Sequence, residues 1–234
     1  MSMAKYMKIK SENDRIFKDG NFNMISETVN SFSGNPIQRE KYFSVSENIK
    51  KATTIQAILS HSKQGKIITA LNFANAKQAG GAYVLGGNAQ EESLCRASLL
   101  YYTIRTQKEY YNRNRLHVTP DYTDIMIYSE NVPVIRDDSG KMLEKSVSCN
   151  FITSPAVNKT FAKFMFSQKK INEIMKTRIE KIIMLAVEKN TDILILGAFG
   201  CGVFGNRRED VFPMFEEIIN KYVPDSMEVI FAIP

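Results

Sequence analysis

Tryptophan is absent from this 234-residue chain, and histidine nearly so, with only His61 and His117. Two separated histidines without clustered cysteine or acidic neighbours give little basis for metal-dependent hydrolysis. Cysteine is scarce too. Cys95, Cys149 and Cys201 are odd in number and widely spaced, which matches neither a disulfide framework nor a zinc pattern and makes reduced thiols the expected state. No apolar run approaches the length of a membrane span, and the N-terminus, with Lys5, Lys8 and Lys10, lacks the apolar block of a secretory signal. The expectation is an intracellular, cytoplasmic protein without metal or membrane contact. No internal repeat or low-complexity tract is evident.

What remains is ordinary globular composition, 44% hydrophobic and 24% charged, in a chain long enough for one well-buried domain. A formal charge of +6 favours acidic partners without choosing among them. The basic residues fall in short groups such as Lys50-Lys51, Lys169-Lys170 and Arg207-Arg208 rather than concentrating with aromatics. They read mostly as solvated surface, and direct DNA binding is not expected.

From about Asn13 to Ser46 the chain is polar and broken by Gly20, Gly34 and Pro36, with a short helix around Asp14 to Lys18. Residues 1–46 are therefore expected to be an accessory segment packed on a core of residues 47–234. Thr54 to Ser62 has helical spacing, Gly65 ends that helix, and Ile67 to Leu71 reads as a buried strand. A helix over Glu92 to Ile104 follows, then strands over Asp124 to Tyr128 and Val147 to Thr153 with a charged turn at Asp137-Asp138-Ser139-Gly140. Ser167 to Lys189 reads as a long helix, Asp192 to Leu196 as a strand, Glu209 to Tyr222 as a helix and Glu228 to Ile233 as a final strand. This alternation predicts an α/β sandwich with its ligand at the strand ends.

Two glycine-rich connections stand out. Gly80-Gly81-Ala82 follows the Ile67 strand and precedes Gln90-Glu91-Glu92 at a helix start, which places a closely approachable backbone beside two carboxylates. That pairing points to chemistry on a phosphorylated sugar. The later run Gly200-Cys201-Gly202-Val203-Phe204-Gly205 has the spacing G-x-G-x-x-G between a strand and a helix. Only one helix and one strand remain after it, whereas a dinucleotide-binding Rossmann unit carries this fingerprint at its first strand. Its amides can still form an anion-binding nest, with Phe204 covering a sugar or base face.

Taken in order, Leu71-Asn72-Phe73-Ala74-Asn75, Gly80-Gly81-Ala82, Gln90-Glu91-Glu92, Val132 to Asp138, Ser154-Pro155-Ala156-Val157-Asn158 and the late loop resemble the bacterial-type poly(ADP-ribose) glycohydrolases of the macrodomain superfamily. The likeness runs from about residue 50 to the end. It implies a macrodomain-like three-layer α/β/α sandwich with a mixed central sheet. It also implies a hydrolase of ribose-ribose O-glycosidic bonds that acts on poly(ADP-ribose) or ADP-ribosylated protein, releases ADP-ribose and uses no cofactor. Residue by residue, it makes Glu92 the catalytic carboxylate, while Glu91 helps fix the scissile ribose linkage and Asn75 contacts the distal ribose. Gly80 and Gly81 approach the diphosphate and ribose, Gln90 completes the signature, and Gly200, Cys201, Gly202, Val203, Phe204 and Gly205 wrap the diphosphate. The family's third glycine is Ala82 here, and its methyl is expected to narrow the catalytic loop.

Cleavage through an oxocarbenium-like state needs a proton for the departing oxygen and later a base for water. Adjacent helical residues point in different directions, so Glu91 and Glu92 cannot flank the bond as an opposed pair, and the proton work falls to Glu92. Alternatives stay open. Asn88-Ala89-Gln90-Glu91 also has capping-box spacing, Glu92 could simply complement the helix dipole, and Asn75 could form an Asx turn. A non-catalytic ADP-ribose reader, a mono-ADP-ribosyl-protein hydrolase and a Rossmann-like NAD enzyme are the competing functions.

Overall fold

The structure is a computed structural model that describes residues 3–37, 39–62 and 65–234. In chain order its elements are α1 (Met3–Asp19), β1 (Ile25–Val29), β2 (Ile49–Lys50), α2 (Thr54–His61), β3 (Ile68–Phe73), α3 (Gln90–Ala97), α4 (Leu100–Ile104), α5 (Lys108–Leu116), β4 (Met126–Arg136), β5 (Met142–Ser154), α6 (Lys159–Ala162), α7 (Gln168–Glu188), β6 (Ile193–Leu196), α8 (Arg208–Tyr222) and β7 (Glu228–Ala232). The strands form one mixed sheet in the order β1-β4-β5-β3-β6-β7-β2. β1, β4 and β5 pair antiparallel, whereas β5, β3, β6, β7 and β2 pair parallel.

Period-two alternation in the central strands fills both faces of this sheet. In β6, Leu194 and Leu196 join a core with Ile171, Met175, Ile179 and Ile182 of α7 and Phe215 and Ile219 of α8. Ile193 and Ile195 turn to a second core with Ile55 and Ile58 of α2, Leu94 of α3 and Tyr110 of α5. The result is the expected three-layer α/β/α sandwich.

The bounds depart from the sequence reading in instructive places. The helix expected over Glu92 to Ile104 is two helices, because Ser98 bridges Val134 and the Leu99 amide donates to the Pro133 carbonyl, drawing the chain onto β4. The short helix at Asp14 to Lys18 is the end of the much longer α1. Within the expected accessory segment, residues 1, 2 and 38 lie outside the described residues. The remainder contributes α1, which lies beside α3, and the edge strand β1.

The parallel run positions the site. β3 and β6 are neighbours with Ala70 opposite Ile195, so the loops leaving their carboxyl ends emerge at one edge of the sheet, with the loop after β5 beside them. Phe73, the last residue of β3, and Phe199, in the connection after β6, have ring centroids 5.7 Å apart.

Candidate active site

The start of α3 is tied to β3 by its own first side chain. Gln90 accepts from the Phe73 amide at 2.9 Å and donates to the Leu71 carbonyl at 2.7 Å and to Thr54 Oγ1 at 3.2 Å. The loop after β3 is fixed by Glu91, only 2% exposed. Its Oε1 accepts from Asn72 Nδ2 at 3.2 Å and its Oε2 from the Asn75 amide at 2.7 Å. Burial outweighs these donors and pushes the Glu91 carboxyl up to about 8. The capping-box alternative is not what forms. The residue before α3, Ala89, makes no side-chain cap, and the Asn88 side-chain carbonyl accepts from Arg96 instead.

Glu92 is placed differently. Its Oε1 accepts from the Ala82 amide at 2.9 Å, while its Oε2 is buried without a hydrogen-bond partner among the described residues. A buried carboxylate oxygen left unpartnered is costly to folding and is the kind of atom function explains. The first glycine turn closes over it. A Cβ on Gly81 would stand 2.5 Å from Glu92 Oε1, and its φ of +54° is also one that side chains rarely adopt.

Asn75 forms the Asx turn, since its Oδ1 accepts from the amides of Lys77 and Gln78 at 2.9 and 3.0 Å. Its Nδ2 is left as a donor. The far side of the loop that leads to α3 is held by Arg96, which donates to the Gly87 carbonyl, to Asn88 Oδ1 at 3.0 Å and to Ser93 Oγ at 2.9 Å. The Tyr6 ring of α1 lies 4.7 Å from that guanidinium, and a Cβ on Gly86 would meet Tyr6 and Met3 at 3.0 Å. Sequence reasoning missed this brace because α1 was not visible as a full helix.

The late loop is stapled by Asn206, whose Nδ2 donates to the carbonyls of Val157 at 2.8 Å and Gly200 at 3.1 Å. Gly200, at φ +72°, could not carry a side chain, because a Cβ would meet Ala156 at 2.6 Å. The amides of Gly202, Val203 and Phe204 donate to no group among the described residues, whereas that of Gly205 donates to Gly202. Phe204 packs beside Tyr122 with centroids 6.0 Å apart. Burial pushes the Cys201 thiol up to about 11, which leaves little thiolate for nucleophilic chemistry.

A cavity of about 440 Å³ lies between this loop, Phe73, Ala156, Ala198 and the α3 start at Ala89 and Gln90. A second, of about 290 Å³, shares Phe73, Ala89, Gln90, Ala198 and Arg208 with it and continues to Thr53, Ile55, Ile233 and Pro234. Arg208, exposed and without an ion pair among the described residues, serves both; the sequence showed it only as half of a basic pair. Glu91, Glu92 and Gly80 to Ala82 line neither cavity. Gln90, next to the two acids in sequence, is the wall.

Comparisons with known proteins identify the family and the fold. Residues 3–137 match the family model described as "Microbial-type PARG, catalytic domain". No curated protein matches the chain. Among solved structures, poly(ADP-ribose) glycohydrolase from Thermomonospora curvata bound to the inhibitor ADP-HPD is similar at 26% identity and a TM-score of 0.81, over 98% of this chain and 93% of that one. The glycohydrolase from Deinococcus radiodurans in complex with ADP-ribose is 34% identical with a TM-score of 0.72, over 79% of this chain and 75% of that one.

Proposed function

The chain belongs to the microbial-type poly(ADP-ribose) glycohydrolase catalytic-domain family and is a hydrolase of that polymer, and we propose that Glu92 is its general acid and base. The observation that carries this assignment is the buried Oε2 of Glu92, without a hydrogen-bond partner among the described residues, beside a sister oxygen fixed by Ala82. In this reading Glu92 protonates the ribose oxygen that leaves as the glycosidic bond breaks. Its carboxylate then takes a proton from water as the water oxygen adds to the anomeric carbon.

Glu91 holds the ribose indirectly, through the Asn75 loop its carboxyl pins, and Asn75 Nδ2 donates to a ribose hydroxyl. The diphosphate lies against the free amides of Gly202, Val203 and Phe204, with Arg208 as its counter-charge. The apolar second cavity takes the base. Residues 1–46 act as an accessory segment to a catalytic unit of residues 47–234, with α1 bracing the loop before α3. The three free thiols support residence in a reducing compartment, the cytoplasm.

Chromatography of products from poly-ADP-ribosylated and singly modified protein, with wild type and Glu92→Gln in parallel, tests the reading. Wild type should release ADP-ribose from polymer, and Glu92→Gln should lose about 10²-fold or more in turnover while folding and binding ADP-ribose normally. Near-native turnover by Glu92→Gln would remove the assignment. Binding of ADP-ribose by wild type without any release would make the protein a reader, and release from singly modified protein alone would make it a mono-ADP-ribosyl hydrolase.

A further inference from the structure

Beside the mouth of the larger cavity the surface is unusually apolar. Val203, on its rim, is 87% exposed, and Phe161, Phe164 and Met165 are 62%, 79% and 57% exposed. The segment is sutured to the late loop, since the Thr160 amide donates to the Phe204 carbonyl at 3.1 Å and Thr160 Oγ1 to that of Val203 at 3.2 Å. Its fold turns the large side chains outward. Ala162 is the buried anchor of α6, and one turn later the Phe164 amide donates to the Phe161 carbonyl at 3.2 Å.

The patch is basic as well as aromatic. Lys163 sets its ammonium 5.0 Å from the centroid of the Phe164 ring and makes no ion pair among the described residues. Lys169 and Lys170 follow, exposed, in the first turn of α7, with Lys170 loosely paired to Glu173 at 3.6 Å. Lys159 is less available, because it lies 3.4 Å from Asp210, a carboxylate that Arg207 also holds at 3.0 Å. Exposed rings interleaved with free cations, continuous with a ligand cavity, form the platform by which proteins hold single-stranded polyanions. Bases stack on the rings and phosphates track the charges.

We propose that Phe161, Phe164 and Lys163 form a second subsite that holds the neighbouring ADP-ribose unit of the polymer, the rings stacking its adenine and Lys163 pairing with one of its two phosphates. The proposal rests on the reading of the cavity as the site of the terminal unit. Poly(ADP-ribose) presents an adenine and two phosphates at every repeat, so a unit adjoining the bound one brings a flat base and two charges past Val203. Phe161, Lys163 and Phe164 are not part of that cavity's lining, so a lone ADP-ribose seated in it is expected to leave the platform untouched.

The test compares monomer with polymer. Phe161→Ala/Phe164→Ala and, separately, Lys163→Gln are introduced into wild type and into Glu92→Gln, and the silenced forms are titrated with ADP-ribose, with defined-length polymer and with oligoadenylate. The double variant should bind polymer on the order of 10-fold more weakly, with ADP-ribose affinity unchanged, and in active enzyme should raise KM for polymer without lowering kcat. Lys163→Gln should reduce the slope of log affinity against log salt by about 0.7 for each phosphate it ceases to neutralise. Polymer affinity within about twofold of the parent, an equal weakening for ADP-ribose, or a weakening confined to oligoadenylate would overturn the proposal. Failure of the hydrolase reading would look different. Wild type would release no ADP-ribose, yet the silenced forms would still bind polymer through these side chains.

Discussion

The amide of Ala82 donates to Oε1 of Glu92 at 2.9 Å, so the residue standing at the third glycine of the family pattern meets the carboxylate with its main chain and not with its methyl. Ala82 adopts φ −90°, a conformation any side chain accepts. Its methyl faces Gly87, where a Cβ would stand 2.7 Å away. The expected narrowing of the catalytic loop is therefore taken up by a second glycine behind it. Ala82→Gly should keep kcat/KM within about threefold and lower stability by about 0.4–1 kcal/mol through the freer unfolded chain, as read by denaturant titration. A large gain in turnover would show that the methyl does obstruct the site.

Gly81→Ala should do the opposite. Its Cβ would meet Glu92 Oε1 at 2.5 Å at a backbone φ of +54°. The carboxylate must move or the turn must open. A fall in kcat of about 10²-fold or more is expected, with a stability loss on the order of 1–2 kcal/mol. Steady-state kinetics alongside thermal melting separates the two effects, and unchanged kcat would refute the role of this turn in placing the acid.

Glu91 makes stability depend on pH in a defined direction. Its folded pKa of about 8 lies above the ordinary carboxyl value of 4.5, so the fold favours the protonated acid. Its contribution is fully present below about 4.5 and is lost as pH rises through about 8. Glu91→Gln should flatten the loss of stability over that window, which has a limiting slope of about 1.4 kcal/mol per pH unit for one group. Denaturation of both proteins at about pH 5 and about pH 8 reads the difference; parallel profiles would contradict the buried neutral acid.

Arg96 joins the Gly87-Asn88 turn before α3 to α1. Arg96→Met removes its donors to Gly87, Asn88 and Ser93, and Tyr6→Ala removes the ring beside the guanidinium together with a long hydroxyl contact to Asn88 Oδ1 at 3.5 Å. Both should lower kcat while leaving ADP-ribose affinity intact, with Arg96→Met the stronger by about 10-fold. Equal declines in binding and turnover would mark a general loss of folding instead.

Much of this site was legible because its parts lie where periodicity changes. The Ile68 strand gives way to Gly80-Gly81-Ala82 and then to an acidic helix start, and the Ile193 strand gives way to the second glycine loop. What stayed hidden lacks a local signal. α1 buries only Ile9 and Asn13, and its charged sequence shows only the short helix at Asp14 to Lys18; the rest is held as Asn13 finds the Arg96 carbonyl and Arg136 finds Glu12. β1 has no fully buried residue and exists through its register with β4. α5, weakly amphipathic, is held by the buried Tyr110, Tyr111 and Asn114. The capping-box alternative at Asn88 does not form because Arg96, eight residues on, takes the same side-chain carbonyl.

The order of strands across the sheet bears on how the protein is made. Its two outermost strands, β1 and β2, are the first two in the sequence, yet β1 pairs with β4 and β2 pairs with β7, Ile49 lying opposite Phe231 and Lys50 opposite Ala232. On the ribosome these segments emerge before their partners and remain unmated while the middle of the sheet assembles. Closure of the far edge waits for the 228–232 strand. Nascent chains halted before that point therefore present an open β-edge, the form in which this sequence is most exposed to aggregation and to chaperone capture.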